Sequence, residues 1–169
     1  MARVEQIFEQ WQDMRNGLIK EVELIPAEQF GFRATTETRS ILELVQHVIE
    51  SERVIVRELC RDNTNFQRGF PAMIAEFAAH VKDASTKEGV LELLSLSLQE
   101  TKNVAIEVGD DNFGQIMTRF DGKQGPKLGG LSFAIAHEMY HRGQLTVYER
   151  LLGIEPALTR FFKKTMGAS

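Results

Sequence analysis

The chain has 169 residues, 43% of them hydrophobic and 26% charged, with a net charge of −4. That length holds one domain, residues 1–169, with a core of its own, and the acidic balance lacks the basic stripe that a nucleic-acid partner requires. The single cysteine, Cys60, permits no intrachain disulfide, and the lack of any apolar run near ~18 residues or of a signal-type N-terminus makes a membrane partner unexpected and the cytoplasm the expected compartment.

The first predicted helix covers about residues 3–25. Val4, Ile7, Phe8, Trp11, Met14, Leu18, Val22 and Ile25 recur at three- and four-residue steps and form one apolar stripe. Pro26 ends it, because proline cannot donate the next helical hydrogen bond. A second helix, 40–62, opens on Ser40-Ile41-Leu42-Glu43, a capping-box pattern, and carries Ile41, Val45, Val48, Ile55 and Leu59 on its stripe. Cys60 falls in this pattern and reads as a packed, inert thiol. Pro71 to Asp83 suits a shorter helix, and His80 within it reads as structural or solvent-facing.

A third long helix, 86–108, begins near Ser85-Thr86-Lys87-Glu88 and is capped by Gly109. The segment from Asp110 to Leu128 is rich in turn residues and reads as a long connection of the kind that often carries function. A fourth helix, 131–152, ends at Gly153 with Pro156 beyond. Strand signals are nearly absent. The expected fold is therefore all-α, a four-helix bundle with long crossover connections.

The fourth helix carries His137-Glu138-Met139-Tyr140-His141. Two histidines four residues apart leave one face of a helix a turn apart, a spacing that suits two ligands of one divalent ion. His47, midway along the second helix, is the candidate third ligand. Alone, a histidine among Val45, Val48 and Ile49 would read as a packed core residue. Three imidazoles converging inside a bundle are hard to satisfy without a cation. Glu50, three residues past His47, is a candidate fourth ligand or an acceptor for an imidazole N–H, with an exposed helix charge as the alternative. Gln144 and Tyr148 share the face of His141 and are candidates to hydrogen-bond a bound water or substrate, Tyr148 having core packing as its alternative.

The same five residues spell H-E-x-x-H, in which zinc peptidases use the glutamate as base. That reading fails on two counts. The extended pattern wants Gly at 144 and His at 147, where the chain has Gln144 and Val147. Such enzymes also seat their peptide along a sheet edge, and no convincing sheet is offered.

Two segments carry a better resemblance: Arg39-Ser40-Ile41-Leu42-Glu43-Leu44-Val45-Gln46-His47, and His137-Glu138-Met139-Tyr140-His141-Arg142-Gly143-Gln144-Leu145. With the ending Leu152-Gly153-Ile154-Glu155-Pro156, they resemble the DinB-like (DinB/YfiT-like) family of metal-binding four-helix bundles across nearly the whole chain. The resemblance implies a parallel middle connection, a divalent ion, zinc or nickel, on His47, His137 and His141, and frequent homodimers. It also implies a small-molecule substrate and, in some relatives, a low-molecular-weight thiol.

Two function classes remain open. One is a metal-dependent enzyme of thiol S-transferase or hydrolase type, with Glu138 a candidate base and Gln144 orienting the bound species. Glu138 has a surface or dimer-interface charge as its alternative. The other is a non-catalytic, metal-stabilised protein of stress response or partner binding. An open pocket at the ion would favour the first and a closed four-ligand shell the second. Phe161, Phe162, Ile49, Val54 and Val56 are the apolar residues expected to pair two copies.

Overall fold

In a computed structural model of the chain, residues 3–167 are described. Six α-helices and one small hairpin follow in order: α1 (Arg3–Leu24), α2 (Ile41–Leu59), α3 (Phe70–Phe77), α4 (Lys87–Phe113), β1 (Ile116–Thr118), β2 (Gln124–Pro126), α5 (Lys127–Leu151) and α6 (Ala157–Met166). Among the described residues no helix is long and apolar enough to cross a membrane.

The four long helices make the bundle, and their side-chain contacts fix its directions. Arg3 and Val4 at the start of α1 donate to Asp110 near the end of α4, while Lys87 at the start of α4 donates to the carbonyls of Glu23 and Ile25. Those two helices therefore run antiparallel. Gln46 reaches Ala84, Glu52 meets Thr101, and Leu59 meets Asn112, so α2 and α4 run parallel. Tyr148 of α5 reaches back to Arg39, so α5 opposes α2. The result is an up-down-down-up bundle in which α1 and α2 each pack on both α4 and α5. The parallel α2–α4 step needs a crossover, and α3 with the 3-10 turn Ala79–Asp83 supplies it.

Start signals read from the sequence act as capping chemistry. Ser40 Oγ accepts from the Glu43 amide and the Glu43 side chain accepts from the Ser40 amide, a cap worth about 0.5–2 kcal/mol. Thr86 caps α4 with its hydroxyl alone, accepting from the Gly89 amide. The core is filled by the α1 stripe of Val4, Phe8, Trp11, Leu18, Val22 and Ile25 against Val45, Val48, Leu94, Leu98 and Leu145.

Four expectations change. Ile49, Val54 and Val56 are fully buried, not exposed for a partner, because the crossover covers the outer flank of α2. Gly109, at φ +77°, breaks helical geometry as a cap would, but the chain resumes a helical turn and reaches Phe113. Only glycine takes that conformation without strain. The segment expected to be a loop contains the hairpin, with Met117 opposite Gly125. Strands of three residues are too short to show a period in sequence. It is held by Lys127, whose buried ammonium donates to the Arg61 carbonyl at 2.6 Å, Asn112 Oδ1 at 2.7 Å and Gln115 Oε1 at 3.1 Å. Finally, α6 extends the fold past Pro156, and it leaves Phe161 and Phe162 exposed.

Candidate metal centre

His47 projects from α2 toward α5, where His137 and His141 stand one turn apart. Ring centroids lie 5.1 Å (His47–His137), 4.8 Å (His47–His141) and 4.3 Å (His137–His141) apart. One ligand nitrogen from each histidine lies within 4.8 Å of the other two. The antiparallel pairing of α2 with α5 creates this meeting, because it carries the middle of one helix past the second half of the other.

His141 is buried and its two neighbours are half-buried. Burial, with the Arg39 charge and the other imidazoles, lowers the pKa of His47 to about 3. Burial, His141 and Arg39 lower that of His137 to about 4. Burial also lowers that of His141, against a hydrogen bond to Gln144 that raises it. All three are therefore neutral at pH 7, the form that carries a lone pair for a metal.

The donor set passes a geometric test. His141 Nδ1 lies 2.7 Å from Gln144 Oε1. Since that oxygen only accepts, Nδ1 carries the proton and Nε2 is left free. This Nε2 faces His137 Nε2 at 3.0 Å. Two imidazole nitrogens on one tetrahedral zinc stand about 3.3 Å apart, so a shift of a few tenths of an ångström suffices. No carboxylate of the described residues joins the three nitrogens.

The other candidates separate. Gln144 orients His141 through Nδ1, a contact that engages its amide oxygen. Tyr148 is buried; its hydroxyl donates to the Arg39 carbonyl at 3.0 Å and its ring meets Phe32 edge-on, so it braces the entry to α2. Glu50 is buried with Oε1 unpartnered, and desolvation raises its pKa against the pull of Lys82 and Arg39. It is not part of the histidine cluster.

Glu138 is not a surface charge. Its carboxylate accepts from Arg15 Nε and Nη2, both at 2.8 Å, and from Trp11 Nε1 at 2.7 Å. Glu52 lies 3.6 Å from the same guanidinium, and all three charges are buried. A peptidase needs this glutamate free beside its metal, so the ion pair removes that reading on structural grounds. His80 is exposed on its 3-10 turn, away from the cluster. Cys60 is half-buried, and desolvation pushes its thiol up to about 11.

Sequence reasoning missed Arg15 and Arg39. Arg15 stands four residues after Trp11 and three before Leu18, on the apolar stripe itself, and that phase was its signal. Arg39 is exposed, and only the three-dimensional approach of its charge to the histidines reveals it.

The DinB family profile matches residues 1–167. The chain belongs to the DinB family. Solved structures agree on the fold. A DinB-like protein from Bacillus subtilis is 20% identical and superposes with a TM-score of 0.66 over 88% of this chain and 92% of its own. A protein assigned to the DinB family from Exiguobacterium sibiricum is 22% identical, TM-score 0.64, over 90% and 94%. A mycothiol-dependent maleylpyruvate isomerase is 14% identical, TM-score 0.66, over 85% of this chain and 61% of its own length. No curated protein matches the chain by sequence.

Proposed function

We propose that this DinB-family protein is a metal-dependent enzyme that acts on a small molecule, of thiol S-transferase or hydrolase type, with His47, His137 and His141 holding one divalent cation, zinc or nickel. The observation that carries this reading is the convergence of three neutral imidazoles with no carboxylate of the described residues beside them. When bound, such a cation supplies a Lewis acid that makes a water or thiol nucleophilic near neutral pH.

The chain's own residues do the rest. His47 and His137 are half-buried, which leaves that side of the cluster open to a ligand. Gln144 holds the His141 proton on Nδ1. Arg39 brings a positive charge close enough to depress all three histidines, so it favours an anionic substrate or thiolate at the same mouth. The fold shared with a mycothiol-dependent isomerase supports a low-molecular-weight thiol as the co-substrate. A homodimer is part of this reading, built on the exposed apolar residues of α5 and α6.

Elemental analysis of the purified protein is the first test. About one divalent ion per chain is expected, lost in His47→Ala, His137→Ala and His141→Ala under mild chelation. Stoichiometric metal retained in all three variants would overturn the site. A panel of electrophiles with low-molecular-weight thiols then tests the chemistry. Metal-dependent turnover is expected, and none with any thiol or with water would favour a non-catalytic role.

A further inference from the structure

We propose that the cavity beneath the β-hairpin binds a small, flat, apolar molecule carrying one anionic group, and that it seats the body of the substrate one helical turn from the histidines. The second half of that statement rests on the function proposed above; the binding itself does not.

The cavity has a volume of about 340 Å³, at the small end of the range for small-molecule sites. Its walls are Ile55 of α2, Met117 of β1, Phe66, Phe120 and Phe133, and its floor is glycine at the start of α5. Phe66 and Phe120 lie 4.5 Å apart by ring centroid, Phe120 and Phe133 6.0 Å, and Phe133 and His137 6.0 Å. An aromatic wall thus runs from the cavity to the candidate centre. Phe120 and Phe133 are 49% and 48% exposed. Two half-exposed rings on the rim of one concavity mark a surface that a planar apolar ligand would cover.

The polar handle is on the hairpin. Arg119 and Asp121 are the charged residues of the lining. Asp121 is shared between Arg119 at 3.4 Å and Lys123 at 3.8 Å, so the mouth holds one more positive charge than negative. These side chains are well exposed, and such pairs are weak enough to exchange. A carboxylate or sulfonate would find a guanidinium fork with donors to spare.

Glycine makes a clean test possible. A Cβ on Gly129 would meet only Pro126 Cγ, at 3.8 Å, so Gly129→Leu fills the cavity without a clash at its root. Gly130 offers no such route, because its Cβ would fall 2.7 Å from Leu59 Cδ2. The probe is anilinonaphthalene sulfonate, a flat anion whose fluorescence rises out of water, titrated into the purified full chain. Saturable binding is expected, displaced by naphthoate better than by neutral naphthalenemethanol. Gly129→Leu should weaken it at least about tenfold, and Arg119→Gln should remove most of the preference for naphthoate. Each variant is first shown to melt like the parent. Unchanged binding in Gly129→Leu would overturn the cavity, and equal competition by the two naphthalenes in the parent would overturn the anionic handle. Loss of the signal in Phe161→Ser would place the probe on α6 and overturn the proposal outright. The same titration in His47→Ala separates the two readings, since probe binding there stands whatever becomes of the metal.

Discussion

Gln144 decides which nitrogen of His141 is free. If that is its role, Gln144→Ala should weaken metal affinity about 10–100-fold, read by competition with a chromophoric chelator, and Gln144→Glu should restore it. Equal affinity in Gln144→Ala and the parent would show the contact to be incidental. Arg15 presents a different kind of residue. Its guanidinium holds Glu138 and lies beside Glu52, all of them buried. Removing one partner strands the others, so Arg15→Met should lose about 3–5 kcal/mol of stability in urea unfolding. Stability unchanged by that substitution would mean that the network is not what fixes α1 against α5.

At the scale of elements, the docking of α6 depends on a buried carboxylate pair. Glu21 of α1 accepts from Arg142 and from the Ala157 and Leu158 amides, and so caps α6. Glu149 of α5 is buried with both oxygens unpartnered. Burial, then the Glu21 charge, pushes its pKa from 4.5 to about 8, against the opposing pull of Arg150, Arg160 and Arg142. The folded state therefore holds this proton more tightly than the unfolded chain. The stability this contributes is fully present below the unfolded value and is lost as pH rises through about 8. Glu149→Gln keeps the shape and cannot ionise, so its melting temperature should exceed that of the parent above pH 8 and its pH dependence should be flatter. Parallel melting profiles for the two proteins would contradict this.

At the scale of the whole molecule, α5 and α6 carry much of the apolar surface that remains. Tyr140, Val147 and Leu151 are 64%, 53% and 60% exposed, and Leu158, Phe161, Phe162 and Met166 are also exposed. Patches of this kind mark association. A dimer mass is expected from light scattering at micromolar concentration, with Phe161→Ser combined with Phe162→Ser shifting it to monomer. A monomer mass for the parent would reject the assembly. The sequence points to the second helix and the C-terminal segment as its contributors. The crossover covers this part of α2 by burying Ile49, Val54 and Val56.

What the sequence determined by itself is whatever depends on period and on local chemistry. The three- and four-residue steps of α1, the Ser40 box and the His137–His141 spacing each act within a few turns of one helix, so they can be read without knowing the partner. His47 was legible as a candidate third ligand only because the bundle class limits what can face a histidine pair. The tertiary structure decided the rest. It chose which face of Gln144 and Tyr148 is used, because Arg39 and His141 reach them from fixed directions. It turned Glu138 from a candidate base into the partner of Arg15, more than a hundred residues away in sequence. It also made a cavity from a hairpin too short to show a strand period. Contacts between distant segments leave no trace in local periodicity, which is why these features appear only once the helices are packed.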